Sequence, residues 1–188
     1  MTLPAWEPTN PQQDREEFDW LLNHMTGARS MLEIGSCIGF SLRGFATRLV
    51  PGARIRSIDA GVCYNGTEEF RNEPYLLAAI QDLDNRGFDA AVMIGDSTWP
   101  QVINWAREHG PYDFIFIDGG HDYDTVKSDF KNYSPMARQV GLHDIVNTGN
   151  PIYGVHKLWR EIKESYWVQE KIVSEKGTGY VWIVGNVG

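Results

Sequence analysis

The chain has 188 residues, 42% of them hydrophobic, enough for one substantial core and too few for two ordinary domains, so 1–188 reads as a single domain with 1–28 as an N-terminal extension and helix. A net charge of −8, with no Lys/Arg cluster beyond short pairs, argues against a nucleic-acid partner. No run approaches the ~18 apolar residues that a membrane span requires, so no membrane partner is expected.

The opening stretch MTLPAWEPTNPQQDREEF carries prolines and acids where a secretory leader needs a basic end and an apolar run, so a cytoplasmic protein is expected. Periodicity then predicts a helix over 12–24, a strand at 30–34 and a helix over 41–49. Further on come a strand at 54–60, a loop over 61–72, a helix at 73–85, a strand at 90–96 and a helix over 98–110. A strand at 112–118, a helix through Phe130 and a strand near 140–146 complete the alternation. The pattern is that of an α/β protein, a doubly wound, mostly parallel, Rossmann-like sheet flanked by helices. The ending differs: a helix in YGVHKLWREIKESY precedes two strands, WVQEKIVSE and TGYVWIVGNV, about a turn at Gly177. Strands joined that closely form an antiparallel pair. The 61–72 stretch reads as a surface loop, with a lid as the sharper alternative. Cys37 and Cys63 lack CxxC or Cys/His spacing and read as two free or buried thiols.

Ligands of such a sheet sit beyond the carboxyl ends of its strands. Each of the first four strand ends carries an acid: Glu33 before Gly35, Asp59, Asp96 before Ser97, and Asp118. Such a rim repels a pyrophosphate and suits hydroxyls, amines and a cationic centre. Asp59 can accept from a ribose diol, and Asp96 with Ser97 from an exocyclic amine. Glu33 suits an ammonium, while amides of the 35–41 loop, including Ser36 and Ser41, receive a carboxylate. Each feature has a plainer alternative: Gly35 and Gly39 permit close helix packing, and Asp59 or Asp96 caps a helix.

Adenine, ribose, a cation and an amino-acid tail together describe S-adenosylmethionine. EIGSCIGFS, E-x-G-x-x-x-G-x-S, resembles the first motif of class I S-adenosylmethionine-dependent methyltransferases. The resemblance continues through SIDA, IGDS, FIFIDGGHDY, LHDIV and VHKLWREI, and is nearest to the small-molecule O-methyltransferase-like group with Asp-Gly-x-His-x-Tyr after its fourth strand. It implies that Glu33, Gly35, Ser36, Gly39, Ser41, Asp59, Asp96, Ser97 and Asp118 line the cofactor site.

The reacting side falls to FIFIDGGHDYDTVKSDF and LHDIV. A hydroxyl acceptor attacks the methyl only once its proton is removed, by a base or with a metal ion's help. His121 is the candidate base, with Asp118 beside it, since imidazole titrates near pKa ~6.5. His143 is an alternate base, or orients Asp144. Asp118 and Asp144 form a candidate Mg2+ site, as aligned acids do in metal-dependent relatives. RQVGLHDIV is shorter before His-Asp than the family pattern. His121 has a plainer role in holding its loop, and Asp122 and Asp124 read as acids of a helix start. Trp99 reads as helix packing or as a cover for adenine.

The expected partner is a small-molecule acceptor, with a homodimer as a further expectation. Two rival readings stand beside transfer: a methyltransferase-like protein that binds the cofactor without turnover, and a short-chain dehydrogenase in which YDTVK supplies Tyr123 and Lys127.

Overall fold

The computed structural model describes residues 13–65 and 68–183. Helix α1, Arg15–His24, starts at Asp14, whose carboxylate accepts from the amides of Glu16 and Glu17 and so satisfies donors the first turn leaves open. Glu17, itself buried, accepts from the amides of Val173 and Ser174 at 2.7 and 2.6 Å, which pins α1 to the C-terminal strands.

Seven strands form one sheet: β1 (Ser30–Ile34), β2 (Arg54–Asp59), β5 (Asp89–Ile94), β6 (Tyr112–Ile117), β7 (Ala137–His143), β8 (Trp167–Lys171) and β9 (Thr178–Trp182). Their order is β5-β2-β1-β6-β7-β9-β8. The first five are mutually parallel, while β9 runs antiparallel to both β7 and β8. This is the expected doubly wound, mostly parallel sheet with its antiparallel pair at one end. The chain leaves β1 toward β2 on one side and later returns to β6 on the other, so the crevice opens where β1 and β6 end.

Helices cover both faces. Helices α1, α2 (Phe40–Ala46) and α3 (Glu73–Asn85) close one core around Leu21, Met31, Phe45 and Phe114. Helices α4 (Pro100–Glu108), α5 (Tyr123–Tyr133) and α6 (Val155–Ser165) close the other around Leu32, Ile115, Phe130 and Trp159. Central strands buried on both faces read as nearly continuous apolar runs, and SMLEI and YDFIFI do so apart from their acids. Each fully buried Leu or Ile contributes roughly 1.5–3 kcal/mol.

Three local expectations change. Residues 61–72 are not an open loop: Val62–Asn65 (β3) and Glu68–Arg71 (β4) pair antiparallel as a separate two-stranded sheet. Strand β7 starts and ends three residues before the expected 140–146, which leaves Asp144 just beyond its end. The cysteines are not free thiols: Cys37 and Cys63 form a disulfide across 26 positions, joining the loop after β1 to β3. Spacing alone could not show this, because only the return of β2 beside β1 brings the two segments together. Among the described residues no helix is long and apolar enough to cross a membrane. Residues 1–12 of the expected N-terminal extension, and the last positions of TGYVWIVGNV, lie outside the described residues.

Candidate active site

The loop after β1 runs close to the end of β6. Gly35 adopts φ +87°, and a Cβ there would stand 2.2 Å from the Asp118 carbonyl oxygen, so only glycine fits this crossing. Gly39 at φ +79° starts α2, and a Cβ there would meet the Ala79 Cβ at 2.5 Å. A small cleft results, lined by Gln13, Gly35, Ser36, Cys37, Ile38, Phe40, Ser41 and Asp118.

The four rim acids have different fates. Glu33 lies on the same strand face as Met31, beneath α2, and is fully buried rather than in the cleft. Neither carboxyl oxygen has a partner of good hydrogen-bond geometry. Burial pushes its pKa up to about 8, and the nearby Ser41 and Ser36 hydroxyls offset only part of that. Glu33 thus lies behind the cleft rather than in its lining, and burial favours its protonated form. Strand alternation points it inward, one step short of the rim.

Asp59 does end β2, but it is only 5% exposed. Its Oδ2 accepts from the Cys37 amide at 2.7 Å, and its Oδ1 from the Gly61 amide and Asn72 Nδ2 at 2.8 and 3.0 Å. Asp96 is exposed and caps its own turn, accepting from the amide and hydroxyl of Thr98. Ser97, partly buried beside it, receives the Tyr133 hydroxyl at its carbonyl. Neither Asp59 nor Asp96 lines the cleft. Trp99 is half-exposed at the start of α4, its ring beside Gly95 at the end of β5.

Asp118 is the acid that reaches the cleft. Gln13, placed by α1, donates to its Oδ2 at 3.0 Å. Its Oδ1 faces the other way, 3.2 Å from His143 Nδ1 and 3.6 Å from His121 Nε2. Asp144 completes the group: its Oδ2 stands 2.9 Å from His121 Nε2 and 3.2 Å from His143 Nδ1. The shortened run before His-Asp thus does not displace Asp144, which takes φ 59°, an uncommon conformation for a non-glycine residue. Asn147 donates to Asp144 Oδ1 at 2.7 Å and orients it.

Burial alone would raise the Asp118 and Asp144 pKa values, but the two imidazoles outweigh it and hold both carboxylates below their ordinary range. Burial likewise opposes charge on the histidines, yet the carboxylates push His121 up to about 9 and His143 up to about 10. His121 is therefore protonated at neutral pH in the ion-free chain, not poised near ~6.5 as expected for a free imidazole. Ligand atoms of Asp118, His143 and Asp144 all lie within 4.8 Å of one another, a donor set that fits a divalent ion.

Several contacts were not foreseeable from motifs. The Tyr153 ring stacks on His121 with centroids 4.6 Å apart, and the Gly154 amide donates to the His121 carbonyl at 2.7 Å. The loop after β7 thereby forms one wall beside the His/Asp group. Gln13 carried no signal beyond its place before a capped helix. Asp122 caps α5 by accepting from the Thr125 amide, the plainer of its sequence readings. Tyr123 and Lys127 bond to each other and to Glu161 on the outer side of α5 and α6, away from the cleft. That placement removes the dehydrogenase reading.

The sequence profile of the methyltransferase domain family matches residues 32–145, which span β1 through the His/Asp pair after β7. The chain belongs to this methyltransferase domain family. No curated protein sequence matches the chain significantly. Among solved structures, an O-methyltransferase of tomaymycin synthesis from Streptomyces achromogenes, in complex with SAM, is 18% identical with a TM-score of 0.65, covering 97% of this chain and 84% of its own. An O-methyltransferase from Bacillus cereus, in complex with SAH, is 21% identical with a TM-score of 0.64, covering 96% and 84%. A methyltransferase from Geobacter sulfurreducens is 13% identical with a TM-score of 0.61, covering 93% and 81%. These neighbours share the fold of this methyltransferase domain.

Proposed function

We propose that the chain is an S-adenosylmethionine-dependent O-methyltransferase acting on a hydroxyl of a small molecule. The observation that carries this reading is the division of Asp118: Oδ2 belongs to the cleft beside the glycine loop, and Oδ1 to the His/Asp group. One carboxylate thus stands between a cofactor position and a reaction position. Similarity to structures solved with SAM and SAH supports the cofactor.

In this reading the amides of the 35–41 loop and Ser41 receive the carboxylate of the methionine tail, and Asp118 Oδ2 accepts from its ammonium. Asp59 takes the ribose diol, and Asp96 with Ser97 the adenine edge. The cofactor supplies an electrophilic methyl group on a sulfonium. The chain's own task is to orient the acceptor and remove its proton. His121 Nε2 is the group that takes that proton, once its own has passed to solvent water, while Tyr153 holds the ring and Asn147 holds the Asp144 carboxylate.

Asp118, His143 and Asp144 would hold a divalent ion, Mg2+ or, given the imidazole, a borderline ion such as Mn2+. Such an ion would supply positive charge that lowers the pKa of an acceptor hydroxyl beside it. The acceptor's class follows from the need for a proton to remove.

The test is methyl transfer from labelled S-adenosylmethionine to a panel of phenols, sugars and hydroxy acids, with and without Mg2+ or Mn2+. Labelled product that disappears in His121→Gln supports the reading. Cofactor binding without transfer to any acceptor would favour a binding protein instead.

A further inference from the structure

The cleft stops at Cys37, and the disulfide marks that boundary. Cys37 sits at φ 50° in the middle of the cofactor loop, while Cys63 lies on β3, four positions beyond Asp59. The bridge therefore crosses from the loop after β1 to the segment after β2, over the acid proposed to take the ribose. Beneath it, Asp59 is 5% exposed with both oxygens occupied by the Cys37 amide, the Gly61 amide and Asn72. Asn72 also donates to the Cys37 carbonyl at 2.6 Å, so loop, acid and hairpin base form one closed group.

These tethers differ in kind. An incoming ribose diol can compete for Asp59 with its three present donors, because hydrogen bonds exchange. It cannot replace a covalent bond. The hairpin that carries Cys63 forms a separate two-stranded sheet and is not joined to the main sheet. A two-stranded hairpin has little stability of its own, so without the bridge this one is held at its base by exchangeable hydrogen bonds. Both cysteines are partly exposed, which leaves the bond open to attack.

We infer that Cys37–Cys63 is a redox modification site that closes the ribose half of the cofactor cleft when oxidised and opens it when reduced. The inference rests on the cofactor reading proposed above. The co-reactant is a dithiol. Its thiolate bonds to the Cys63 sulfur, the Cys37 sulfur departs as thiolate and takes a proton, and the second thiol of the reductant resolves the mixed disulfide. The chain gains two electrons and two protons, and the dithiol becomes a disulfide.

The experiment compares three samples: the oxidised chain, the chain reduced with dithiothreitol, and Cys63→Ser, a residue outside the cleft lining. Each is titrated with S-adenosylhomocysteine, and hydrogen exchange is followed in peptides covering 35–41 and 59–63. The reduced chain and Cys63→Ser should bind at least 10-fold more tightly than the oxidised chain and exchange faster in both peptides. Equal or tighter binding by the oxidised chain would overturn the inference, as would full alkylation of both cysteines in the native chain before reduction. If no sample binds the ligand, the cofactor reading fails. The switch then falls with it, whereas equal binding and unchanged exchange in all three samples overturn the switch alone.

Discussion

Gln13 and Asp118, 105 positions apart, meet in a hydrogen bond of 3.0 Å from Nε2 to Oδ2, while the other oxygen of the same carboxylate faces two histidines. Asp118→Asn keeps the shape and removes the charge that serves both sides. A hydrogen bond to a charged group contributes about 1.5–3 kcal/mol, so S-adenosylhomocysteine affinity should fall roughly 10- to 100-fold. The pKa of His121, followed by NMR, should fall as well. An affinity change with His121 unmoved would separate the two roles assigned to Asp118.

The His/Asp group ties stability to pH. Both histidines have folded pKa values raised above the unfolded ~6.5, to about 9 and about 10. Their stabilisation is fully present below pH ~6.5 and is lost as pH rises through those folded values. Denaturant midpoints of the ion-free chain should therefore drop between pH 7 and pH 10, and the His143→Gln variant should show a flatter profile there.

Glu33 has the opposite kind of cost. Its native pKa of about 8 lies above the ordinary 4.5, so the native state holds the extra proton between those values and stability falls as pH rises through that window. Glu33→Gln should match the wild type near pH 4.5 and exceed it at pH 8, by at most ~5 kcal/mol. Thermal denaturation at the two pH values measures this, and equal differences at both would mean that folding leaves the Glu33 pKa unshifted.

Gly35→Ala places a methyl group 2.2 Å from the Asp118 carbonyl oxygen in a backbone conformation that disfavours side chains. Overpacking and strain of this sort cost roughly 1–3 kcal/mol each. The melting temperature should drop, and cofactor affinity should fall with it because the crossing that forms the cleft must widen. A variant with unchanged melting temperature would show that the two loops are not held this closely.

Closing a loop of 26 residues stabilises the chain by about 3 kcal/mol through the unfolded state. Cys63→Ser should lose about that much in oxidising denaturant titrations and nothing under dithiothreitol. Equal stability of the two chains without reductant would mean that the bridge does not form.

The strands and helices were legible because their signals are local. Apolar runs ending in acids located β1, β2, β5 and β6, and the amphipathic stretch 73–85 matches α3 at both ends. The contents of the site were less so, because they depend on which way a side chain points and on segments far apart. Glu33 belongs to a genuine strand-end motif, yet pleat alternation turns it under α2. His121 was identifiable by type, but its proton is set by Asp144, 23 positions later and on another strand's end. Gln13, Tyr153 and the Cys37–Cys63 bridge reach the site through tertiary structure alone.

The measurement that tests the central claim most directly is calorimetric titration of the reduced chain with S-adenosylhomocysteine and, separately, NADH. The account predicts one site for the sulfur compound, weakened at least 10-fold in Asp118→Asn, and no binding of NADH. No heat with S-adenosylhomocysteine, or binding of NADH in its place, would contradict it.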